Sequence, residues 1–169
     1  ECDLLGQNIG LDTPVTPDQR EKVARLISIA ENADAVTFAQ ALKMCRSRPM
    51  ETRVPVIGFT GTGGAGKSSL LDELMRRIIT QNPHLNVAIL CTDPTRKRTG
   101  GALLGDRIRM NTLVSDRLFM RSLASRSSGK ELSEKTREAI EVCQATGYDL
   151  IFVETSGIGQ GSDAITDVS

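Results

Sequence analysis

Aromatic residues are scarce in this chain of 169 residues: it has no tryptophan, one tyrosine and four phenylalanines. That scarcity disfavours the base-stacking surfaces that grip single-stranded nucleic acid. An excess of charge is missing too, since 21 basic residues balance 21 acidic ones. Nothing in the balance points to nucleic acid or to an anionic membrane as a partner. No apolar run is long enough to span a bilayer, and no basic-then-apolar leader opens the chain. The four cysteines, Cys2, Cys45, Cys91 and Cys143, lie far apart with no C-x-x-C pair. Such spacing argues against a zinc site or a disulfide framework and suits the reduced, buried thiols of a cytoplasmic protein. The one histidine, His84, follows Pro83 with no acid or serine pattern around it, and reads as a surface residue. The chain begins at Glu1 and stops at Ser169 just after a glycine-rich turn, so it reads as an excerpt of a longer protein.

What the chain does have is glycine in one dense cluster. "GFTGTGGAGKSSLLDEL", Gly58 to Leu74, places five glycines within nine residues and continues as a leucine-rich helical pattern. Glycine loses the most chain entropy on folding, so such a cluster implies that the backbone itself approaches something. Gly61-Thr62-Gly63-Gly64-Ala65-Gly66-Lys67-Ser68 fits G-x-x-x-x-G-K-[ST], the phosphate-binding loop. It follows an apolar strand pattern and opens an amphipathic helix, the placement that lets backbone N–H groups and the positive helix end face an anion. Lys67 is placed to reach the outer phosphates, and the Ser68 hydroxyl to complete a Mg²⁺ shell.

The rest of the chain supplies a scaffold of matching type. "TPDQ", Thr16 to Gln19, predicts a helix start, with Thr16 as cap, Pro17 in the first turn and Gln19 closing a capping box. Val23, Leu26, Ile27 and Ala30 then recur at helical spacing. A second helix is predicted over Val36 to Cys45, with Phe38, Ala41, Leu42 and Cys45 on its apolar side, and "RSRPMETR" (Arg46 to Arg53) reads as a linker. Residues 1–52 thus read as a small helical segment, separate from residues 53–169. In the latter, "VPVIGFTG", "NVAILCTD" and "YDLIFVET" are short, nearly continuous apolar runs, as in strands buried on both faces of a parallel sheet. "LFMRSL" (Leu118 to Leu123) is a further short strand. Ser69 to Thr80 reads as a helix with Leu70, Leu71, Leu74, Met75 and Ile78 inward. Ser133 to Thr146 reads as another, with Ala139, Ile140 and Cys143 inward and Gly147 at its stop. The expected class is α/β: a phosphate-loop NTPase with a mostly parallel sheet flanked by helices and right-handed crossovers, incomplete at its C-terminal side.

Ligands of such sheets lie beyond the carboxyl ends of the strands. Two strands end there in acids, "ILCTD" at Asp93 and "IFVET" at Glu154. Magnesium keeps several waters and takes one or two carboxylates, so both are of the right type in the right place. Gly157, in "TSGIGQG", can offer its N–H to a terminal phosphate. "DPTRKRTGGALLGDRIRMN", Asp93 to Asn111, sets Asp106 and Arg109 three apart on one helical face, for metal and phosphate respectively.

Together "GFTGTGGAGKSSLLDEL", "DPTRKRTGGALLGDRIRMN", "MRSLASR" and "DLIFVETSGIGQG" resemble the GTPase domain of the fused isobutyryl-CoA mutases. That domain is related to the methylmalonyl-CoA mutase-associated GTPases, chaperones of adenosylcobalamin enzymes. The resemblance covers about Arg53 to Asp167 and, more loosely, the preceding helices. It implies Mg²⁺-dependent GTP hydrolysis that controls cofactor loading and protection in an acyl-CoA mutase. The adenosylcobalamin would belong to the parent protein and not to this segment. On the resemblance, Gly64, Ala65, Gly66, Lys67, Ser68 and Ser69 hold the phosphates, helped by Gly61 and Gly63. Lys67, Asp106 and Glu154 are the implied catalytic groups. Ser68, Asp93, Asp106 and Glu154 match magnesium positions, with Thr92 and Thr155 close enough to contribute, and Arg109 matches a nucleotide-contacting arginine. The implied partners are cobalamin-binding and mutase domains of the same or another chain, in a homodimeric parent. A guanine-selecting Asn-Lys-x-Asp pattern does not occur in this sequence, so the preference for GTP is carried by the resemblance alone. A stand-alone chaperone, a nucleotide sensor that hardly hydrolyses, and a small-molecule kinase built on the same loop all remain open here.

Overall fold

A computed structural model describes residues 13–49, 51–62, 64–93, 115–124 and 129–155, with side chains at all of these except 93, 124, 129–134 and 155. Four strands, β1 (Val56–Phe59), β2 (Val87–Asp93), β3 (Leu118–Ala124) and β4 (Leu150–Thr155), form one sheet in the order β1-β4-β2-β3. Every neighbouring pair is parallel. Among the described residues the helices are α1 (Arg20–Asn32), α2 (Ala35–Cys45), α3 (Lys67–Gln81) and α4 (Gly129–Ala145).

Handedness decides which helix covers which face. The path β1–α3–β2 moves along the sheet in one direction, while β3–α4–β4 comes back, so right-handed crossovers must put α3 and α4 on opposite faces. Packing agrees. Leu71 and Met75 of α3 pack with Val87, Ile89, Leu118, Met120 and Phe152. On the other face Leu26 and Ile27 of α1, Phe38 of α2 and Ile140 and Cys143 of α4 pack with Ala88, Leu90, Ile151 and Val153. Strand alternation thus feeds both cores, as expected of a parallel sheet with helices on each side.

The N-terminal helices share this second core with the sheet, and the stretch predicted as a linker is pinned to it. The Ser47 and Arg48 N–H groups donate to the Ala145 carbonyl at 2.9 and 3.2 Å. They thereby serve a backbone acceptor at the end of α4 that the helix itself leaves open. The Arg48 guanidinium donates to the carbonyls of Tyr148 and Gly147 and pairs with Asp149 at 2.5 Å. Burial pushes the Cys143 thiol and the Tyr148 phenol up from their ordinary pKa values, so both stay protonated and structural.

Two local expectations need correction. Helix α1 starts at Arg20, after the "TPDQ" stretch, because Pro17 and Asp18 form a turn closed by the Gln19 N–H on the Thr16 carbonyl at 3.0 Å. Gln19 does reach back to the Thr16 N–H, at 3.4 Å, but from the N-cap position. Leu70 is 59% exposed, while its neighbour Leu71 is fully buried. The apolar stripe of α3 is wide, and the sheet meets only its Leu71–Met75 side. Leu71→Ala is expected to cost about 2–5 kcal/mol of stability in urea unfolding. Leu70→Ala should stay within about 0.5 kcal/mol of the parent.

Candidate functional site

The glycine-rich loop leaves the carboxyl end of β1 and runs straight into α3. Gly64 and Gly66 have φ of 79° and 80°, the left-handed region that side chains rarely adopt. Gly66 occupies the N-cap position of α3, and among the described residues no side chain caps that helix. Helix α2 shows the contrast: the Asp34 carboxylate accepts from the N–H groups of Val36 and Thr37, both at 3.0 Å. The Thr37 hydroxyl, which also donates to this carboxylate, holds the Asp34 carboxyl below its ordinary pKa together with those backbone bonds. The start of α3, with a glycine where α2 has its carboxylate, presents first-turn amides and the positive helix end to an anion.

Lys67 folds back over its own loop, its Nζ donating to the carbonyls of Gly61 at 2.7 Å and Thr62 at 2.9 Å. An ammonium carries three donors, and the side chain stands at the loop mouth, half-buried. Ser68, one residue on, donates its hydroxyl to Glu154 Oε1 at 2.8 Å. Strand alternation brings these two together. Phe152 faces α3, so Glu154, two residues later on β4, faces α3 as well. Beside it, Cys91 of β2 donates its thiol to Glu154 Oε2 at 3.8 Å.

The structure therefore assembles Gly61, Gly64, Ala65, Gly66, Lys67, Ser68 and Glu154 at one end of the sheet, with Ser69 exposed in the first turn of α3. It does not bring the Thr92 hydroxyl to that cluster. Thr92 is buried and donates to the Glu154 backbone carbonyl at 3.3 Å, and alternation from Cys91 sets it on the opposite face. Asp93 and Thr155 close β2 and β4, with side chains outside the described residues. Gly63, Asp106, Arg109 and Gly157 also lie outside them. Cys91 was missed by motif reading. Its signal was positional, since it stands two residues before the strand-end acid and shares a face with the core residue Ile89.

Among the described residues no group of three or more His, Cys, Asp or Glu is gathered for a metal. The Ser68 hydroxyl and Glu154 carboxylate are a sparse, all-oxygen donor pair. They fit a hard ion such as Mg²⁺, which retains waters and needs few protein ligands, and not a soft one. No helix among the described residues is long and apolar enough to cross a membrane.

The fused isobutyryl-CoA mutase of Geobacillus kaustophilus is 54% identical over 154 residues, 88% of this chain and 14% of that protein. The fused isobutyryl-CoA mutase of Nocardia farcinica is 49% identical over 99% of this chain and 15% of its own length. GTPase ArgK of Escherichia coli is 39% identical over 85% of this chain and 48% of its own. This chain thus spans about a seventh of the fused relatives and about half of the smaller one. Among solved structures, LAO/AO transport system kinase superposes with a TM-score of 0.64 at 26% identity, over 88% of this chain and 43% of that one. The sequence pattern described as methylmalonyl Co-A mutase-associated GTPase MeaB matches residues 23–169, and the chain belongs to that family.

Proposed function

We propose that this chain is the phosphate-binding part of a Mg²⁺-dependent GTPase that serves as chaperone to an adenosylcobalamin-dependent acyl-CoA mutase. In this reading it gates the loading and protection of the mutase cofactor. The observation that carries the nucleotide reading is the glycine-started α3 with Lys67 folded over its loop and Ser68 bonded to Glu154. The mutase association is supported by the fused relatives, whose names carry that activity.

The geometry of the loop and of Glu154 supports the following division of roles. Amides of the loop and the first turn of α3 cradle the phosphates, with glycine giving the backbone close approach. Lys67 leaves its loop carbonyls for the outer phosphates and stabilises charge there as water attacks the terminal phosphorus and the bridge to the next phosphate breaks. Ser68 and Glu154 are the groups of this chain that would hold Mg²⁺. Asp93 at the end of β2, with Asp106 and Thr155, is added by family resemblance; Thr92, whose hydroxyl is bonded to the Glu154 carbonyl on the opposite face, is not. When bound, the ion offsets phosphate charge. Arg109 and Gly157 complete the proposed nucleotide contacts.

Titration calorimetry on the complete polypeptide tests the reading. GTP with Mg²⁺ present is expected to give a saturating heat, stronger than ATP. Absence of heat with either nucleotide would overturn the reading. Heat with slow turnover, accelerated when mutase domains are supplied, would support the chaperone assignment over a free-running hydrolase.

A further inference from the structure

The Glu154 carboxylate is held from two sides. One oxygen accepts from Ser68 on α3 and the other from Cys91 on β2. Cys91 stands directly across from Glu154 in the parallel register of β2 and β4. It is 6% exposed and lies on the same sheet face as Val87 and Ile89. A glutamate side chain has three rotatable bonds, so a single hydrogen bond at Oε1 leaves the carboxylate free to pivot about that contact. A second donor, fixed to a neighbouring strand, removes the pivot.

We infer that Cys91 is a positioning residue of the nucleotide site: its S–H anchors Glu154 Oε2 so that Oε1 stays turned toward Ser68 and the phosphate loop. The inference rests on the reading above, in which Ser68 and Glu154 serve a magnesium–nucleotide complex. Partners that orient a metal-side carboxylate commonly change metal affinity by about 10- to 100-fold when removed. A thiol is a weak donor, which places Cys91 at the lower end of that range. The competing role is packing, because a buried cysteine also behaves as a small apolar side chain against its neighbours.

Valine separates the two roles, being apolar, one heavy atom larger than cysteine, at home in a strand and unable to donate. In the complete polypeptide, Cys91→Val is expected to raise the Mg²⁺ concentration for half-maximal GTP turnover about tenfold. Its GTP affinity in EDTA should stay at the parent value, and its urea midpoint should fall only by the modest cost of one added methyl group. Cys91→Ser keeps a donor and should recover most of the parent Mg²⁺ response. An unchanged Mg²⁺ requirement in Cys91→Val overturns the positioning role. So does a serine variant no better than valine, or a loss shared equally by Mg²⁺-free binding and stability. A parent protein without Mg²⁺-dependent GTP turnover overturns the nucleotide reading itself, and the role of Cys91 with it.

Discussion

Replacing Lys67 by alanine is expected to lower GTP turnover by at least about a hundredfold while leaving the fold intact. The size follows from the work assigned to the side chain. A preorganised donor facing developing charge is worth about 10²–10³ in rate, and Lys67 is the one cation of the loop motif at the head of α3. The fold should survive because both described bonds of its Nζ go to carbonyls of its own loop, Gly61 and Thr62. They bridge no distant elements, and alanine is favourable in a first helical turn. Lys67→Arg is not expected to rescue. Its planar fork is wider than an ammonium and carries its donors in a different geometry. Single-turnover hydrolysis beside an unfolding curve checks both halves. Turnover within a few-fold of the parent would remove Lys67 from the chemistry.

What the sequence made legible was whatever is local. The loop could be read because strand, glycines, lysine and helix follow one another within about twenty residues, and the structure keeps that order from Val56 to Gln81. The parallel sheet was legible from its apolar runs, and all three described pairings are parallel. What failed depended on partners far away in the chain. Leu70 belongs to the same apolar stripe as Leu71, and only the sheet's position shows which of them is covered. "RSRPMETR" has the composition of a linker, yet Arg48 is held by residues about a hundred positions later. The pairing of Cys91 with Glu154 spans 63 positions and comes from β2–β4 register, which no spacing rule within one strand can give. Thr92 shows the same limit in reverse. It adjoins a strand-end acid in sequence, but alternation turns it to the opposite face.

Removing the charge of Glu154 is expected to move two readouts in opposite directions. Glu154→Gln keeps nearly the same shape and an oxygen able to accept from Ser68, but it carries no negative charge. Mg²⁺-dependent turnover should fall by about a hundredfold, the upper end of what orienting and ligating groups contribute around a metal. GTP binding in EDTA should tighten instead. With the metal chelated, a carboxylate 2.8 Å from the Ser68 hydroxyl stands beside the phosphate loop and repels the polyphosphate. Like charges at a few ångströms cost several kcal/mol at the effective dielectric of a protein surface, about 20. That opposition separates a role at the metal from damage to the fold, because a misfolded loop would weaken binding with and without Mg²⁺. Glu154→Ala should show the same opposition, with an added loss of order, since it removes the acceptor for both Ser68 and Cys91. If EDTA binding weakens in step with turnover in both variants, Glu154 is a structural prop of the β4 end, and the metal must be held by other carboxylates of the chain.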